Sequence, residues 1–168
     1  MFLASIIFFF FSIPLIIAAL SDAKSMKIPN WVSVVMIAGF FILLPHTWQG
    51  PADFAIHIAV AMTFLIAGFT LFSFGILGGG DAKLMAAAAI WFTWLDVTPF
   101  ILYTSLFGAA LGIFLLIGRK FLPVRLMTSQ WVYSMFRDEK KMPYGLAIAA
   151  GGVFAIPSSL ISQAALGV

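Results

Sequence analysis

The stretch that decides the fold is Gly78-Gly79-Gly80-Asp81-Ala82-Lys83, between a hydrophobic segment that ends near Leu77 and another that begins at Leu84. Burying an ionised carboxylate in lipid costs about 3 kcal/mol on insertion scales, so an acid within a membrane-embedded sequence is a candidate functional residue. A second acid, Asp22, follows the first hydrophobic segment. The sequence therefore raises the question of whether Asp22 and Asp81 meet in the folded protein.

The composition is that of a helical membrane protein. Of the 168 residues, 63% are hydrophobic and only 9% are charged, whereas a soluble domain is about one quarter charged. Residues 1–168 are therefore predicted to form one all-α transmembrane domain without a separate soluble domain. The chain contains no cysteine, which excludes a disulfide framework, a thiolate zinc site and a cysteine nucleophile.

Six hydrophobic segments are predicted to cross the bilayer, for which about 20 apolar residues are needed. These segments are 2–20, 31–45, 54–77, 84–95, 100–118 and 143–166. The loops between them alternate between two faces, and all nine Lys and Arg residues then fall on one face. The positive-inside rule places that face in the cytoplasm, together with Asp22 and Asp81, and places the N-terminus outside. This topology explains the net charge of +3 without nucleic-acid binding.

The only long loop of this topology covers residues 119–142. Apolar residues recur in it at helical spacing with basic residues between them, a pattern typical of a helix that lies in the membrane interface near anionic headgroups. Two interpretations stay open for this loop. It is either a surface anchor or a lid or docking surface for a membrane-bound substrate.

Each aspartate, taken alone, has an ordinary interpretation. Asp22 lies near Lys24 and Lys27, as expected of an acid at the membrane boundary. Asp81 can cap the helix that begins after the three glycines, which is a strong local preference. The same glycines remove side chains from one approach and permit a positive φ. Another helix or an extended peptide can therefore come close to the Asp81 carboxylate.

Two carboxylates on one face and at similar depth suggest a reacting pair. If the first and fourth spans pack together, Asp22 and Asp81 can hold a water molecule and share one proton, because like charges that close do not both ionise. The ionised member then takes a proton from the water while the protonated member polarises a peptide carbonyl, as in aspartic proteases. A metal site would want histidine nearby, and His46 and His57 are predicted on the opposite face. The sequence therefore predicts no metal and no other cofactor.

Two further patterns are predicted to be structural. Asp53 and His57 are four residues apart and can pair on one helix turn at the external surface. Gly108 and Gly112 form a GxxxG pattern, which lets two membrane helices approach closely.

Taken together, these residues resemble a known family, the aspartic prepilin peptidases. These membrane proteases carry a GxGD motif and remove the leader peptide from type IV prepilins and pseudopilins. The resemblance lies in residues 22–30, which end in Ile-Pro-Asn, and in residues 78–84, and it extends to residues 142–145. It implies that Asp22 and Asp81 are the catalytic dyad and that the three glycines give the substrate backbone access to it.

The resemblance also implies supporting roles around the dyad. The residues concerned are Lys24, Lys27, Pro29, Asn30, Lys83, Pro143, Tyr144 and Gly145. The partners implied are prepilin or pseudopilin substrates and the lipid bilayer, and the sequence does not indicate an oligomeric state. Because the basic leader stays in the cytoplasm and the apolar stem lies in the membrane, the scissile bond is expected at the cytoplasmic face of the bacterial inner membrane. The charge pattern places both acids on the same face.

One departure from the family pattern concerns the larger members, which carry paired Cys-x-x-Cys motifs in a cytoplasmic domain and also methylate the new N-terminus. Here 21 residues precede Asp22 and cysteine is absent. The chain is therefore similar to the short type associated with tight-adherence (Flp) pili, and methyltransferase activity is not expected. Two alternatives stay open: a non-enzymatic membrane component of a pilus or secretion apparatus, and a transporter that uses both aspartates as proton relay sites.

Overall fold

The computed structural model describes residues 2–121 and 142–167. Within these ranges the regular structure is entirely helical. The helices are α1 (Phe2–Ile7), α2 (Ile13–Ser25), α3 (Asn30–Thr47), α4 (Pro51–Ser73), α5 (Gly79–Ala89), α6 (Thr98–Phe121), α7 (Tyr144–Ala155) and α8 (Leu160–Leu166). A π-helical turn, Phe8–Ser12, joins α1 to α2, and a 3₁₀ turn, Ile156–Ser158, separates α7 from α8.

Four helical segments in the described ranges are long and apolar enough to cross a membrane. They are Ser5–Ser25, Asn30–Thr47, Pro51–Ser73 and Thr98–Phe121. The apolar segment Tyr144–Ser158 is shorter, and α5 has only 11 residues. The prediction of an all-α, polytopic membrane protein is therefore confirmed.

Two helices have bounds that differ from the predicted spans, and as a result both aspartates lie within helices and not in the loops between them. The first helix continues past the predicted end at residue 20 to Ser25, so Asp22 is helical rather than in a loop. The fourth begins at Gly79 and ends at Ala89, earlier than the predicted 84–95. It ends there because the following residues turn, with the Asp96 carboxylate accepting hydrogen bonds from the backbone N–H and the hydroxyl of Thr93.

Helix α5 lies at the centre of the bundle, where it packs against α3, α4 and α7. Its alanines 87, 88 and 89 are buried, and aromatic rings fill the space beyond its end. Trp91 lies 5.2 Å from Phe11 between ring centroids, and Phe92 stacks on Phe100 at 5.3 Å. This core fixes α5, and with it Asp81, relative to α2.

Two glycines of α7 make very close contacts with neighbouring helices. A methyl group at Gly151 would lie 2.1 Å from the Thr104 hydroxyl of α6, and one at Gly152 would lie 2.7 Å from Leu15 of α2. Both distances are far below van der Waals contact. At Gly151 the backbone of Thr104 is also within 2.7 Å, so glycine is required there, whereas a methyl group at Gly152 would force the Leu15 side chain to move. Helix α7 is thereby seated between α6 and α2.

The predicted GxxxG pair of α6 also faces the α7 segment, but less tightly. A methyl group would lie 3.7 Å from Ala147 at Gly108 and 3.8 Å from Met142 at Gly112. These are ordinary contact distances. The glycine that sets the α6–α7 spacing is therefore Gly151 of α7, which is not among the glycines predicted to allow a close helix contact.

The predicted contact between Asp53 and His57 is present, with 3.8 Å between Asp53 Oδ2 and His57 Nε2. His57 is buried rather than at the surface, and its Nδ1 lies 2.8 Å from the carbonyl oxygen of Ile90. Because a carbonyl oxygen only accepts, Nδ1 carries a proton. His57 therefore ties α4 to the end of α5.

Of the long loop predicted at residues 119–142, the structure describes only the two ends. Helix α6 runs to Phe121, so Arg119 and Lys120 belong to its last turn, where the helix dipole favours positive charge. The predicted interfacial helix falls on residues 122–141, which lie outside the described residues.

Candidate active site

Asp22 lies near the end of α2 and is buried, with 5% of its surface exposed. Its Oδ2 accepts a hydrogen bond of 2.8 Å from the backbone N–H of Gly145, in the first turn of α7. This bond joins two positions that are 123 residues apart in the chain. The N–H groups at a helix start have no partner within the helix, so the first turn of α7 is a suitable donor for a carboxylate.

The turn after Asp22 brings the chain back beside it. Met26 adopts a left-handed conformation with φ 53°, and its N–H donates to the carbonyl oxygen of Asp22 at 2.8 Å. The hydroxyl of Ser21 donates to the carbonyl oxygen of Lys27 at 2.7 Å. These two bonds hold the short 26–29 connection against the end of α2 and place Ile28 next to the site.

Asp81 lies in the first turn of α5 and is 6% exposed. Its Oδ2 accepts a hydrogen bond of 3.2 Å from the backbone N–H of Gly78, the residue that precedes the helix. The ordinary interpretation of Asp81 as a helix cap is therefore correct for this oxygen. The buried Oδ1 has no hydrogen-bond partner among the described residues, and capping does not explain it.

The structure brings the two aspartates to one pocket. Asp22 and Asp81 both line a cavity of about 320 Å³, together with residues of the 26–30 connection and the three glycines. The carboxyl group of Asp81 interacts electrostatically with Asp22 and with the backbone amide of Gly145. The first and fourth predicted spans thus meet at their aspartates.

Space is short at two of the predicted glycine positions. A methyl group at Gly78 would lie 2.7 Å from Asp81 Oδ2, and one at Gly80 would lie 3.2 Å from the Cβ of Ile28. A side chain at Gly78 would therefore press on the Asp81 carboxylate, and one at Gly80 would press on the protein's own 26–29 connection.

The backbone of this glycine run is not left-handed. Gly78 has φ −76° and ψ 148°, and the described glycines with positive φ are Gly50, Gly75 and Gly167. The positive φ that the sequence analysis allowed for is therefore absent. At Gly79 a methyl group would meet only Phe72, at 3.5 Å or more, so this position tolerates a side chain.

Gly145, on the other side of the pocket, also lies where a side chain would crowd the site. A methyl group there would lie 2.9 Å from Asp22 Oδ2 and 3.1 Å from the Cδ1 of Ile28. Pro143 precedes α7 and places Gly145 in its first turn. Gly145 is predicted from the sequence as a supporting residue, whereas Met26 and Ile28 are not among the predicted site residues. Ile28 appears in the sequence pattern only as part of Ile-Pro-Asn, and Met26 has no signal beyond its place between Asp22 and Asn30.

Of the other predicted supporting residues, some line the aspartate pocket and others lie away from it. Lys27 and Asn30 line the aspartate pocket, and Lys83 Nζ donates to Asn30 Oδ1 at 3.2 Å. Lys24 is exposed in the last turn of α2. Pro29 directly precedes α3, and Tyr144 lines a separate pocket beside Met142 and Arg119.

The described residues contain no group of three or more His, Cys, Asp or Glu side chains that could hold a metal ion. Their arrangement has a different chemistry. Two close carboxyl groups can share a proton, and an oxygen without a partner can accept a hydrogen bond from a water molecule. The pocket can therefore hold and polarise a water beside an extended backbone.

The comparison with known families agrees with this geometry. Residues 9–113 match the type IV leader peptidase family. The chain belongs to that family. The match covers more than half of the chain and includes both aspartates, so the resemblance seen in the sequence is confirmed. Family membership indicates a peptidase of the prepilin leader type, with prepilins as substrates. No curated protein and no solved structure matches the chain at a significant level.

Proposed function

We propose that this protein is an aspartic endopeptidase that removes prepilin leaders at the cytoplasmic face of the membrane, with Asp22 and Asp81 as the catalytic pair. The observation that carries the proposal is the shared pocket, in which Asp81 Oδ1 is buried and has no hydrogen-bond partner within residues 2–121 and 142–167. Leaving a buried polar atom unpaired costs about 1–3 kcal/mol. A water molecule or a substrate group at this oxygen would remove that cost.

In the proposed reaction the two carboxyl groups share one proton, and the ionised one takes a proton from the water as its oxygen attacks the peptide carbonyl. The protonated one donates to the carbonyl oxygen, giving a tetrahedral gem-diol. Collapse of this intermediate breaks the C–N bond, and the leaving nitrogen receives a proton from the pair. The backbone N–H of Gly145 donates to Asp22 Oδ2 and keeps the Asp22 carboxyl group oriented during both steps of the reaction.

The glycine run supports access for an extended substrate. Gly78 is exposed and Gly79 is half-buried, and both line the pocket together with Asp81. A backbone without side chains leaves room for a peptide to lie close to the carboxylates. The cytoplasmic orientation is supported by the placement of all nine basic residues on the aspartate side of the predicted topology.

The alternatives are less well supported. A non-enzymatic assembly component has no use for a buried carboxylate oxygen without a partner. A proton relay would need acids that continue from Asp22 and Asp81 toward the other side. Asp96 is instead bonded through both oxygens, to Thr93 and to the N–H of Leu160, and Asp53 lies beside His57.

The test is co-expression with an Flp-type prepilin, followed on a gel by the shift that leader removal causes. We expect cleavage by the wild type and by the control variant Asp53→Asn, and none by Asp22→Asn or Asp81→Asn. Cleavage by either of the last two would refute the aspartic mechanism. If the wild type cleaves no prepilin of any class, the assembly component becomes the better reading.

The Flp-type substrate and the lack of methylation are finer parts of the proposal, and they rest on the sequence resemblance. Cleavage of an Flp-type prepilin should be faster than cleavage of a prepilin from another type IV system. Mass spectrometry of the mature pilin should give an unmodified N-terminus. An added methyl group in cells that express only this enzyme would contradict the second part.

A further inference from the structure

A groove between α3, α4 and α5 opens beside the aspartate pocket, and the proposed reaction does not use it. Its volume is about 400 Å³, and its lining is almost entirely apolar. The lining includes Val34 and Ile37 of α3, Met62 and Leu65 of α4, and Ala86 and Ala87 of α5.

The floor of this groove is recessed because α5 supplies alanines there. Ala86 and Ala87 belong to a run of alanines at positions 86–89, whereas the neighbouring helices contribute larger side chains. Val34 and Met62 are 63% and 49% exposed. In a membrane, small residues on a helix surface let the backbone of another helix approach closely. The groove therefore has a surface suited to an apolar helix.

The polar end of the groove adjoins the aspartates. Asn30 lines both the groove and the aspartate pocket, and Lys83, which donates to Asn30 Oδ1, also lines the groove. A chain that leaves the groove past Asn30 enters the pocket of Asp22 and Asp81. A lipid acyl chain has no need of this connection, whereas a prepilin continues from an apolar stem to the scissile bond.

We infer that this groove binds the apolar stem of the prepilin and that the residues before the stem pass Asn30 and Lys83 to reach the aspartates. The inference rests on the proposed function, because it names where the substrate of that reaction is held. It assigns substrate recognition to α3, α4 and the alanine face of α5, and it leaves the chemistry to the pocket at their end.

Filling the floor of the groove tests this assignment. In Ala86→Phe the new ring occupies part of the groove, and Ala110→Phe, on the exposed face of α6, is the matched control. We expect Ala86→Phe to raise KM for the full prepilin about tenfold with little change in kcat. Its cleavage of a short peptide that spans the cut but lacks the stem should equal that of the control. Equal losses on both substrates, or no loss on either, would overturn the inference.

A second measurement does not depend on turnover. The photoreactive residue benzoylphenylalanine replaces Met62 in the groove. In a separate control variant it replaces Leu106, which is 60% exposed on α6. Both variants carry Asp81→Asn and are mixed with prepilin in lipid vesicles. An adduct with the prepilin stem at position 62 and none at position 106 is expected. Lipid adducts alone at position 62, or equal prepilin adducts at both positions, would overturn the inference.

These results separate the two proposals. If the wild type cleaves prepilin and position 62 gives no prepilin adduct, the groove is not the stem site and the proposed function stands. If the wild type cleaves no prepilin, the proposed function fails, whatever the adducts show.

Discussion

Two buried acids lie near the opposite ends of α5, and their surroundings differ. Asp96, in the turns after the helix, accepts three hydrogen bonds through both oxygens, from the N–H and hydroxyl of Thr93 and from the N–H of Leu160. Asp81, at the start of the helix, uses only Oδ2 and leaves Oδ1 without a partner among the described residues. The two residues are almost equally buried, at 7% and 6% exposed.

The comparison shows that burial alone does not separate a structural acid from a reactive one. A carboxylate whose oxygens are all bonded by the chain stabilises the fold, since its partners would otherwise be unpaired. A carboxylate with a free oxygen beside a second acid stabilises little and is available to a water or a substrate. Stability and activity should therefore respond in opposite ways to substitution at the two ends of α5.

The largest expected effect is on activity at the aspartate pocket. Asp81→Asn keeps the size of the side chain but removes the shared proton, so cleavage should fall by at least about 10³-fold. Thermal unfolding in detergent should change little, because among the described residues this carboxylate accepts one hydrogen bond of 3.2 Å, from Gly78, beside a weaker interaction with the backbone amide of Gly145. A large loss of stability in Asp81→Asn would mean that Asp81 is as structural as Asp96.

The opposite result is expected for Asp96→Ala. Removing this side chain leaves three donors unpaired, one of them on the first residue of α8, at a cost of about 3 kcal/mol. The unfolding temperature should fall, while the kcat of the remaining folded enzyme stays near the wild-type value. Asp53→Ala is the control, with a cost below about 1 kcal/mol. A loss of kcat in folded Asp96→Ala enzyme would mean that the two ends are coupled.

A smaller effect on activity is expected from crowding the pocket. In Gly145→Ala the new methyl group meets Asp22 Oδ2 at 2.9 Å, so the carboxylate must move. A displacement of this kind costs up to about 10²-fold in rate. Gly108→Ala, which lies outside the pocket and has its nearest contact at 3.7 Å, is the matched control and should keep its activity. If both variants retain full activity in the gel-shift assay, the Gly145–Asp22 bond does not orient the reaction.

These sites also show how far the sequence alone could go. Hydropathy and basic-residue placement predicted the helical membrane fold, and the glycine run and its carboxylate pointed to Asp22 and Asp81 as a pair. The predicted end of the first span at residue 20 is too early, because the polar residues that follow it have the composition of a loop although the helix continues to Ser25. The end of α5 was missed because it depends on Asp96, whose partner Leu160 is 64 residues away.

The same limit applies to the glycines. The GxxxG pair of α6 has a recognisable spacing, but the tight contact is made by Gly151 against Thr104, and no local pattern marks it. Gly145 likewise acts on a carboxylate 123 residues earlier in the chain. Local patterns reveal which residues are unusual. They reveal which residues meet only where both partners are unusual, as Asp22 and Asp81 are, and not where one partner is an ordinary residue such as Thr104.

The smallest expected effect concerns the turn that brings Ile28 to the pocket. Met26 is the one described residue other than glycine with a positive φ, 53°, a conformation that costs an ordinary residue about 1 kcal/mol. Met26→Gly removes this strain from the folded state, but glycine also increases the conformational entropy of the unfolded chain. Because the two effects oppose each other, the unfolding free energy should change by less than about 1 kcal/mol, and activity should be retained. Met26→Val, with a branched Cβ, should lower both stability and cleavage, because the 26–29 connection would shift away from Asp22. Equal stability and equal cleavage rates in the two variants would show that the left-handed turn does not position the pocket. The difference between Asp81 and Asp96 would then depend only on the hydrogen bonds of the two carboxylates.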